Sequence, residues 1–400
     1  MKISIDYTKV ISFFIYLLPI SFFIGKLHNV VGGLIVALFL YDIIKYRKFY
    51  IFKDKIFIFF FLWFLYLCLG ALWATHKEET ILSAFKILLW VLLYLSINNF
   101  FNSLKKLEKY FIFQAYLIVF IASCTLFQMI IGFNFFGIPL ENGRTTDIFT
   151  SDRIFPFILP LYVGIFGAML SLKDKNKEHY LLYSIALFGL IVSLITSGTR
   201  GPMVILAIFI PIIAWTSPYR KFAFSILAIL VIAIGVIIGT NDKLQDRIST
   251  LLHPFENQKH FRIAIYKTAF EMFKENPIVG VGFKNFRYRE FEYYKPEFES
   301  YEIITEKNKM VLHPHSPWLE ILSEQGIVGF CFLLILFGKI FINIYKNGLF
   351  IFISSFSVLY SFSILHSTFT LSSSRWSFFM FMSVVFYALL VKYYSYINKG

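Results

Sequence analysis

Twelve runs of apolar residues divide the sequence, and they constrain the fold more than any other feature. Each is close to the ~20 residues that a helix needs to cross a bilayer. Apolar residues occupy every face of these runs, which predicts α-helices and excludes the alternating strands of an outer-membrane barrel. We expect an all-α polytopic membrane protein with about 12 transmembrane helices. The runs cover residues 10–25, 29–44, 56–75, 81–98, 111–133, 157–172, 180–197, 202–217, 223–240, 318–345, 349–366 and 376–395.

The composition supports a membrane protein. Hydrophobic residues make up 58% of the 400-residue chain and charged residues only 16%, whereas soluble domains average about 25% charged residues. This excludes a soluble enzyme and a disordered chain, and residues 1–400 are read as a single membrane domain. The three cysteines lie inside apolar runs, where we expect packing residues. The first run lacks a following small-residue cleavage site, so it predicts a first helix and not a signal peptide.

The basic residues predict the topology. If alternate connections face the cytoplasm, that side collects 18 of the 38 lysines and arginines, and the short connections opposite hold only six. Because basic residues favour the cytoplasmic side, both termini are predicted to be cytoplasmic. The net charge of +14 then reflects membrane topology, and we expect no nucleic-acid partner.

Two connections on the non-cytoplasmic side are too long to be turns. They are residues 134–156 and the much larger loop 241–316, which holds 12 basic and 11 acidic residues. Long loops escape the positive-inside rule. We expect the larger one to be a small folded element.

A helix within the large loop is predicted to be amphipathic. Apolar Phe261, Ile265, Ala269 and Phe273 recur every four residues, which places them on one face for packing on the bundle or the membrane surface. Asn276 and Pro277 should end this helix, and the glycines at 280 and 282 permit a tight turn.

The histidine-containing stretch from Leu312 to Glu320 is the richest in chemistry. Ser316 is a good N-cap and Pro317 a good first helical residue, so a helix should begin here with His315 just outside it. A helix N-terminus disfavours imidazolium and attracts anions, which suits a neutral general base. Alternatively, His313 and His315 cap an interfacial helix. His-x-His could also chelate a metal, but spacing fixes no third or fourth ligand.

Arginines in the outer connections are the second group of candidate functional residues. Arg200 lies in a Ser-Gly-Thr-Arg-Gly turn, where flanking glycines allow close backbone approach and the guanidinium can pair with phosphate. Alternatively, Arg200 lies in an ordinary turn and reaches lipid headgroups. Arg262, at the head of the amphipathic helix, could likewise pair with phosphate. Alternatively, it lies on a solvated face of that helix. Arg375, Arg144 and Arg153 are weaker candidates.

Other charged residues lie within the spans. Glu320 and Glu324 are one helical turn apart on the tenth span and could orient the base or face a polar cavity. Lys86 and Lys339 are expected to snorkel to the interfaces.

Three motifs in this order resemble the bacterial O-antigen ligase and polymerase superfamily. They are the Arg-headed segment from Phe261 to Phe270, the stretch from Asn276 to Gly282 with its Gly-x-Gly, and the segment from His313 to Gly329 with its Glu-x-Gly-x-x-Gly. The turn from Ser197 to Gly201 is also similar to a short outer motif of that family. One departure is Ser316, where the family usually has Asn.

The resemblance implies a membrane glycosyltransferase with a GT-C-like fold, multi-pass in the inner membrane of a Gram-negative cell and with a periplasmic active site. It implies an O-antigen ligase, which moves O-antigen polysaccharide from undecaprenyl diphosphate to lipid A-core without metal or other cofactor. Carried over, Arg200 and Arg262 would bind the diphosphate, and His315 would help to activate the acceptor hydroxyl. His313, Glu320, Glu324 and Arg375 would be supporting residues.

Two rival functions remain open. An O-antigen polymerase would use the same donor with a second lipid-linked glycan as acceptor, and one dominant outer loop favours the ligase. A transporter or flippase of lipid-linked sugar also fits the spans, although its polar residues would lie near the membrane midplane.

Overall fold

The computed structural model describes residues 7–149, 155–172, 177–240, 245, 261–295, 313–363 and 369–398. Helices form nearly all of this part of the chain, which contains two isolated β-bridges and no β-strand. The helices are α1 (Tyr7–Ser21), α2 (Leu27–Tyr46), α3 (Lys55–Leu69), α4 (Lys77–Phe100), α5 (Leu104–Ile131), α6 (Phe155–Ile158), α7 (Val163–Leu170), α8 (Lys177–Thr196), α9 (Arg200–Thr216), α10 (Arg220–Gly239), α11 (Phe261–Glu275), α12 (Phe286–Tyr293), α13 (Pro317–Asn347), α14 (Leu349–Ser361) and α15 (Ser374–Ile397). Short 3₁₀ helices cover Phe49–Lys53, Gly70–Leu72 and Leu159–Tyr162.

The apolar runs form helices long enough for a membrane protein. Among the described residues, seven helices meet the length and hydropathy expected of a membrane span, and shorter apolar helices accompany them. These candidate spans are α2, α3 with its 3₁₀ extension, α4, α5, α8, α13 and α15. The helical fold is therefore confirmed, and the candidate spans support a multi-pass membrane protein. The number twelve stays a prediction.

Two runs differ from the continuous helices that the sequence predicts. Pro160 lies in the sixth run, which forms the end of α6, a 3₁₀ turn and α7, because proline lacks the N–H that an α-helix needs. In the tenth run, Gly326 has φ 63° and ψ −162°, so α13 is broken there. Such a backbone is essentially restricted to glycine.

One continuous hydrophobic core runs through the bundle. Its main helix pairs are α5 with α8, α14 with α15, α3 with α4 and α1 with α2. About 83% of the apolar part of α15 is buried, against 22% for α13. α15 is thus a central helix, whereas α13 presents much of its surface outside the bundle.

A second, small core organises residues 261–295. It joins α11, the following turn and α12, and Leu319 of α13 packs against it. Ile265 and Ala269 are buried as the amphipathic pattern predicts. This element rests on the bundle at the start of α13. Its buried core residues are Ile265, Ala269, Met272, Val281, Phe286 and Tyr293.

Candidate functional site

The N-terminus of α13 is built as its sequence predicts. Ser316 has an extended backbone and is the N-cap, and its hydroxyl oxygen accepts a hydrogen bond from the Leu319 N–H at 3.5 Å. Pro317 is the first helical residue. His315 lies directly before this cap with a left-handed φ of 53°. The expected position of His315 beside a helix N-terminus is therefore confirmed.

His313 holds the backbone of His315. The His315 N–H donates to Nδ1 of His313 at 3.2 Å, and the two ring centroids are 4.3 Å apart. Burial, with a smaller contribution from the neighbouring His315, lowers the pKa of His313 to about 3. His313 is thus a neutral acceptor at physiological pH, and it stabilises an uncommon backbone conformation at the candidate base.

Helix α11 contacts the same segment. The Tyr266 hydroxyl donates to the carbonyl oxygen of His315 at 3.3 Å. Arg262 lies four residues before Tyr266, on the same face of α11, and its side chain lies outside the described part of the chain. The structure therefore brings the helix headed by Arg262 against His315.

The break at Gly326 is stabilised by the turn that follows α11. A helix break leaves backbone groups without intrahelical partners. Four hydrogen bonds satisfy such groups here: Val281 N–H to Ser323 O at 3.0 Å, Gly282 N–H to Glu324 O at 2.9 Å, Ile327 N–H to Pro277 O at 2.8 Å and Val328 N–H to Ile278 O at 3.2 Å. The turn and the broken helix consequently fix each other, and we call this pair of segments, 277–282 and 323–328, the interlock.

Two glycines make the interlock possible. A Cβ atom on Gly280 would lie 2.3 Å from the carbonyl carbon of Glu324, and one on Gly326 would lie 2.4 Å from that of Ile278. Both residues have positive φ, of 66° and 63°. The backbones approach so closely that no side chain fits between them.

The carboxylate of Glu324 holds the loop beyond the interlock. Its Oε2 accepts from the Lys284 N–H at 2.8 Å and its Oε1 from the Phe286 N–H at 3.0 Å, and the residue is only 2% exposed. Glu324 thus fixes the start of α12. These contacts give it a loop-positioning role.

Glu320 holds a different loop in the same way. Its carboxylate accepts from the backbone N–H groups of Leu371 at 2.8 Å and Ser372 at 2.9 Å, and from the Thr370 hydroxyl. Arg375 follows in the first turn of α15 and is partly buried. Glu320 therefore brings the start of α15 to the start of α13.

Two aromatic residues of α3 attach the interlock to the bundle. The Trp63 indole N–H donates to Oε1 of Gln325 at 2.8 Å, and the Tyr66 hydroxyl donates to the Gln325 carbonyl oxygen. Sequence reasoning missed these contacts, because the spacing of the residues along the chain gives no signal that they meet.

Asn285 makes a second attachment between the large loop and the bundle. Its side chain accepts from the His76 N–H at 2.8 Å and donates to the Thr80 hydroxyl at 2.8 Å. These residues are more than 200 positions apart, so sequence reasoning missed this contact as well.

The turn before Arg200 is joined to the second long loop. Gly198 has φ 64°, Arg200 begins α9, and the Thr145 N–H donates to the Thr196 carbonyl oxygen at 3.2 Å. The side chain of Arg200 lies outside the described residues. The turn therefore packs on the loop after α5.

The same loop leads to the segment held by Glu320. The Phe155 N–H donates to Oδ1 of Asp147 at 2.7 Å, and the Phe157 and Trp376 rings lie 5.8 Å apart. Continuous contacts therefore connect the turn before Arg200 with the start of α15 at one end of the bundle. Of the described residues, no group of three or more His, Cys, Asp or Glu is placed to hold a metal ion.

Comparison with known proteins bears on this end of the bundle. A family model described as O-antigen ligase matches residues 185–334. This range includes Arg200, Arg262, His313 and His315, and it excludes Arg375. No curated protein matches the chain. Over residues 185–334, the family match confirms the resemblance to the O-antigen ligase superfamily that the motifs indicate.

Proposed function

We propose that this protein is an O-antigen ligase that transfers O-antigen polysaccharide from undecaprenyl diphosphate to lipid A-core. The reaction would take place at the periplasmic face of the inner membrane. The observation that carries the proposal is the position of His315 at the N-terminus of α13, in contact with α11, inside the region that matches the O-antigen ligase family.

The donor diphosphate would be bound by the arginines that head two helices. Arg200 begins α9 and Arg262 is the second residue of α11. A guanidinium can donate two parallel hydrogen bonds to phosphate oxygens, and a helix N-terminus adds partial positive charge. Both groups would stabilise the negative charge that develops on the departing diphosphate, commonly by a few kcal/mol for each donor.

His315 would act on the acceptor. Its imidazole would accept the proton of the attacking sugar hydroxyl while that oxygen bonds to the anomeric carbon of the donor sugar. The bond from the anomeric carbon to the diphosphate oxygen breaks, and undecaprenyl diphosphate leaves with the electron pair. General-base catalysis of this kind contributes about 10²–10⁴-fold. Attack opposite to the leaving group would invert the anomeric centre.

The two glutamates of α13 would position the site. Glu324 fixes the start of α12 and Glu320 the start of α15 through buried hydrogen bonds to backbone amides. Their oxygens are engaged by these amides, which supports His315 as the base in preference to either carboxylate.

A gene deletion separates this function from that of an O-antigen polymerase, the nearest alternative within the same superfamily. Loss of a ligase leaves long polysaccharide on undecaprenyl diphosphate and bare lipid A-core. Loss of a polymerase leaves single repeats on lipid A-core, and that result would overturn the proposal. Lipopolysaccharide gels and analysis of the lipid-linked pool distinguish the two.

Complementation of the deletion tests the residue that carries the proposal. Wild type should restore the lipopolysaccharide ladder, and His315→Ala should not, at matched protein level. His179→Ala is the control, since His179 lies at the opposite end of α8 from the turn before Arg200. A full ladder from His315→Ala would refute the role of His315.

A further inference from the structure

A cavity of about 450 Å³ lies among the membrane helices, far from His315. Its walls come from α3, α4, α13, α14 and α15. α13 contributes Leu336 to Asn343, more than 20 residues after the candidate base. At 1.5 Å per residue, this places the cavity roughly 30 Å along α13 from His315. The cavity therefore belongs to the other end of the bundle.

One side of this cavity is rich in cationic and polar donors. Lys339, which the sequence predicts only to snorkel, lines it with its Nζ 5.1 Å from the Phe59 ring centroid. Lys392 also lines it and donates to the Asn98 carbonyl oxygen at 2.6 Å. Lysines within membrane spans are rare and mark functional sites. Two ammonium groups thus face one intramembrane space.

Asp54 is the acidic residue among the described residues that line the cavity, and its single carboxylate does not neutralise both lysines. Its Oδ1 caps α3 by accepting from the N–H groups of Ile56 and Phe57 at 2.9 Å each. The same oxygen accepts from the Tyr94 hydroxyl at 3.2 Å. With two lysines and one carboxylate, the lining carries a net positive charge.

The remaining wall is apolar. It is formed by aromatic and aliphatic side chains: Phe59, Phe60, Leu336, Ile340, Val384 and Val391. A small anion such as inorganic phosphate would satisfy the lysines and leave this wall in contact with water. An amphiphile with an anionic head group and hydrocarbon chains matches both halves of the cavity.

We propose that this cavity binds an anionic phospholipid, with its phosphate beside Lys339 and Lys392 and the start of its acyl chains against the apolar wall. Basic pockets between membrane helices bind such head groups in the cytoplasmic leaflet, and the distribution of basic residues predicts that this end of the bundle faces the cytoplasm. The zwitterionic head group of phosphatidylcholine fits less well, because its quaternary ammonium group would face two lysines. This site is independent of the proposed transfer reaction.

The test is competition between lipids on the purified full-length protein. The protein is equilibrated in mixed micelles with phosphatidylglycerol and phosphatidylcholine, and native mass spectrometry counts the lipids that it retains. Wild type should retain phosphatidylglycerol in preference. Since each lysine near a membrane surface contributes about 1 kcal/mol to binding of anionic lipid, Lys339→Gln should lower that preference roughly fivefold.

Two further variants separate this effect from a loss of structure. Lys339→Arg keeps the charge and should keep the preference. Lys45→Gln removes a charge near the same end of the bundle outside the cavity, and it should also keep the preference. Equal retention of the two lipids by wild type would overturn the proposal. So would an equal loss in Lys45→Gln, or displacement of the lipid by inorganic phosphate.

Discussion

Replacing Gly326 by alanine should disrupt the interlock that supports the candidate site. Gly326 has φ 63° and ψ −162°, a conformation that costs a residue with a side chain on the order of 1–3 kcal/mol. The added Cβ would also lie 2.4 Å from the carbonyl carbon and oxygen of Ile278. These are backbone atoms and cannot rotate away, so overpacking adds about 1–3 kcal/mol.

The two costs together predict a loss of roughly 2–6 kcal/mol, a large part of the 5–15 kcal/mol that stabilises a typical domain. The damage should begin at the interlock, because its four backbone hydrogen bonds join segments 277–282 and 323–328. Thermal unfolding of the purified protein measures the loss. Hydrogen exchange at Val281, Gly282 and Ile327 should become faster before the rest of α13 is affected.

Gly338 provides a matched control on the same helix. A Cβ at this position meets no heavy atom within 4 Å, and its backbone is helical. Gly338→Ala should leave stability unchanged or raise it by up to about 1 kcal/mol through helix propensity. If Gly326→Ala and Gly338→Ala unfolded at the same temperature with the same exchange at segment 277–282, the reasoning about the interlock would be refuted.

Three other variants or conditions test single contacts. Glu324→Gln places an amide NH₂ against one of two backbone donors and should destabilise the protein by about 1.5–3 kcal/mol in thermal unfolding; unchanged stability would contradict the role of its carboxylate. Arg200→Lys keeps the charge and loses the bidentate fork, so the lipopolysaccharide ladder should fall sharply at equal protein level; a near-normal ladder would indicate a headgroup anchor instead. Acidification from pH 7 to 5 should lower the free energy of unfolding by about 1–2 kcal/mol through His313, because its pKa is about 3 when folded and about 6.5 when unfolded. The folded state binds fewer protons in that window, so stability falls as the pH falls. His313→Asn should reduce this dependence, and an identical pH profile for this variant would refute it.

The sequence predicts features that depend on neighbouring residues. Apolar runs specify helices, and the Ser316 and Pro317 signals specify where α13 begins, because capping involves groups a few residues apart. Local patterns also locate α11, because the four-residue spacing of its apolar residues predicts the helix and Asn276 predicts its end. These signals are sufficient to place His315 beside a helix N-terminus.

Contacts between distant segments are beyond this reasoning. Trp63 and Gln325 are 262 positions apart and share a buried hydrogen bond, and nothing in their spacing predicts it. The break at Gly326 is not predicted, because the surrounding run is apolar enough for one continuous helix. The glycines at 280 and 326 can be read from the sequence. Only the structure shows that a side chain at either position would collide with the backbone of the opposite segment of the interlock.

The sequence leaves the roles of Glu320 and Glu324 open for the same reason. From their positions alone, both could orient a base or face a cavity. Glu324 accepts from the backbone N–H groups of residues 284 and 286, and Glu320 from those of residues 371 and 372, which lie some 40 to 50 positions away. Backbone donors carry no residue-type signature, so such contacts leave no trace in the pattern of side chains.

Reconstitution of the purified protein tests the proposed function most directly. The protein is placed in liposomes with an undecaprenyl diphosphate-linked polysaccharide and lipid A-core, without nucleotide or an ion gradient. We expect covalent polysaccharide on lipid A-core, release of undecaprenyl diphosphate, loss of both with His315→Ala and retention of both with His179→Ala. Movement of the donor across the bilayer without a covalent product would contradict a ligase, and so would full product from His315→Ala.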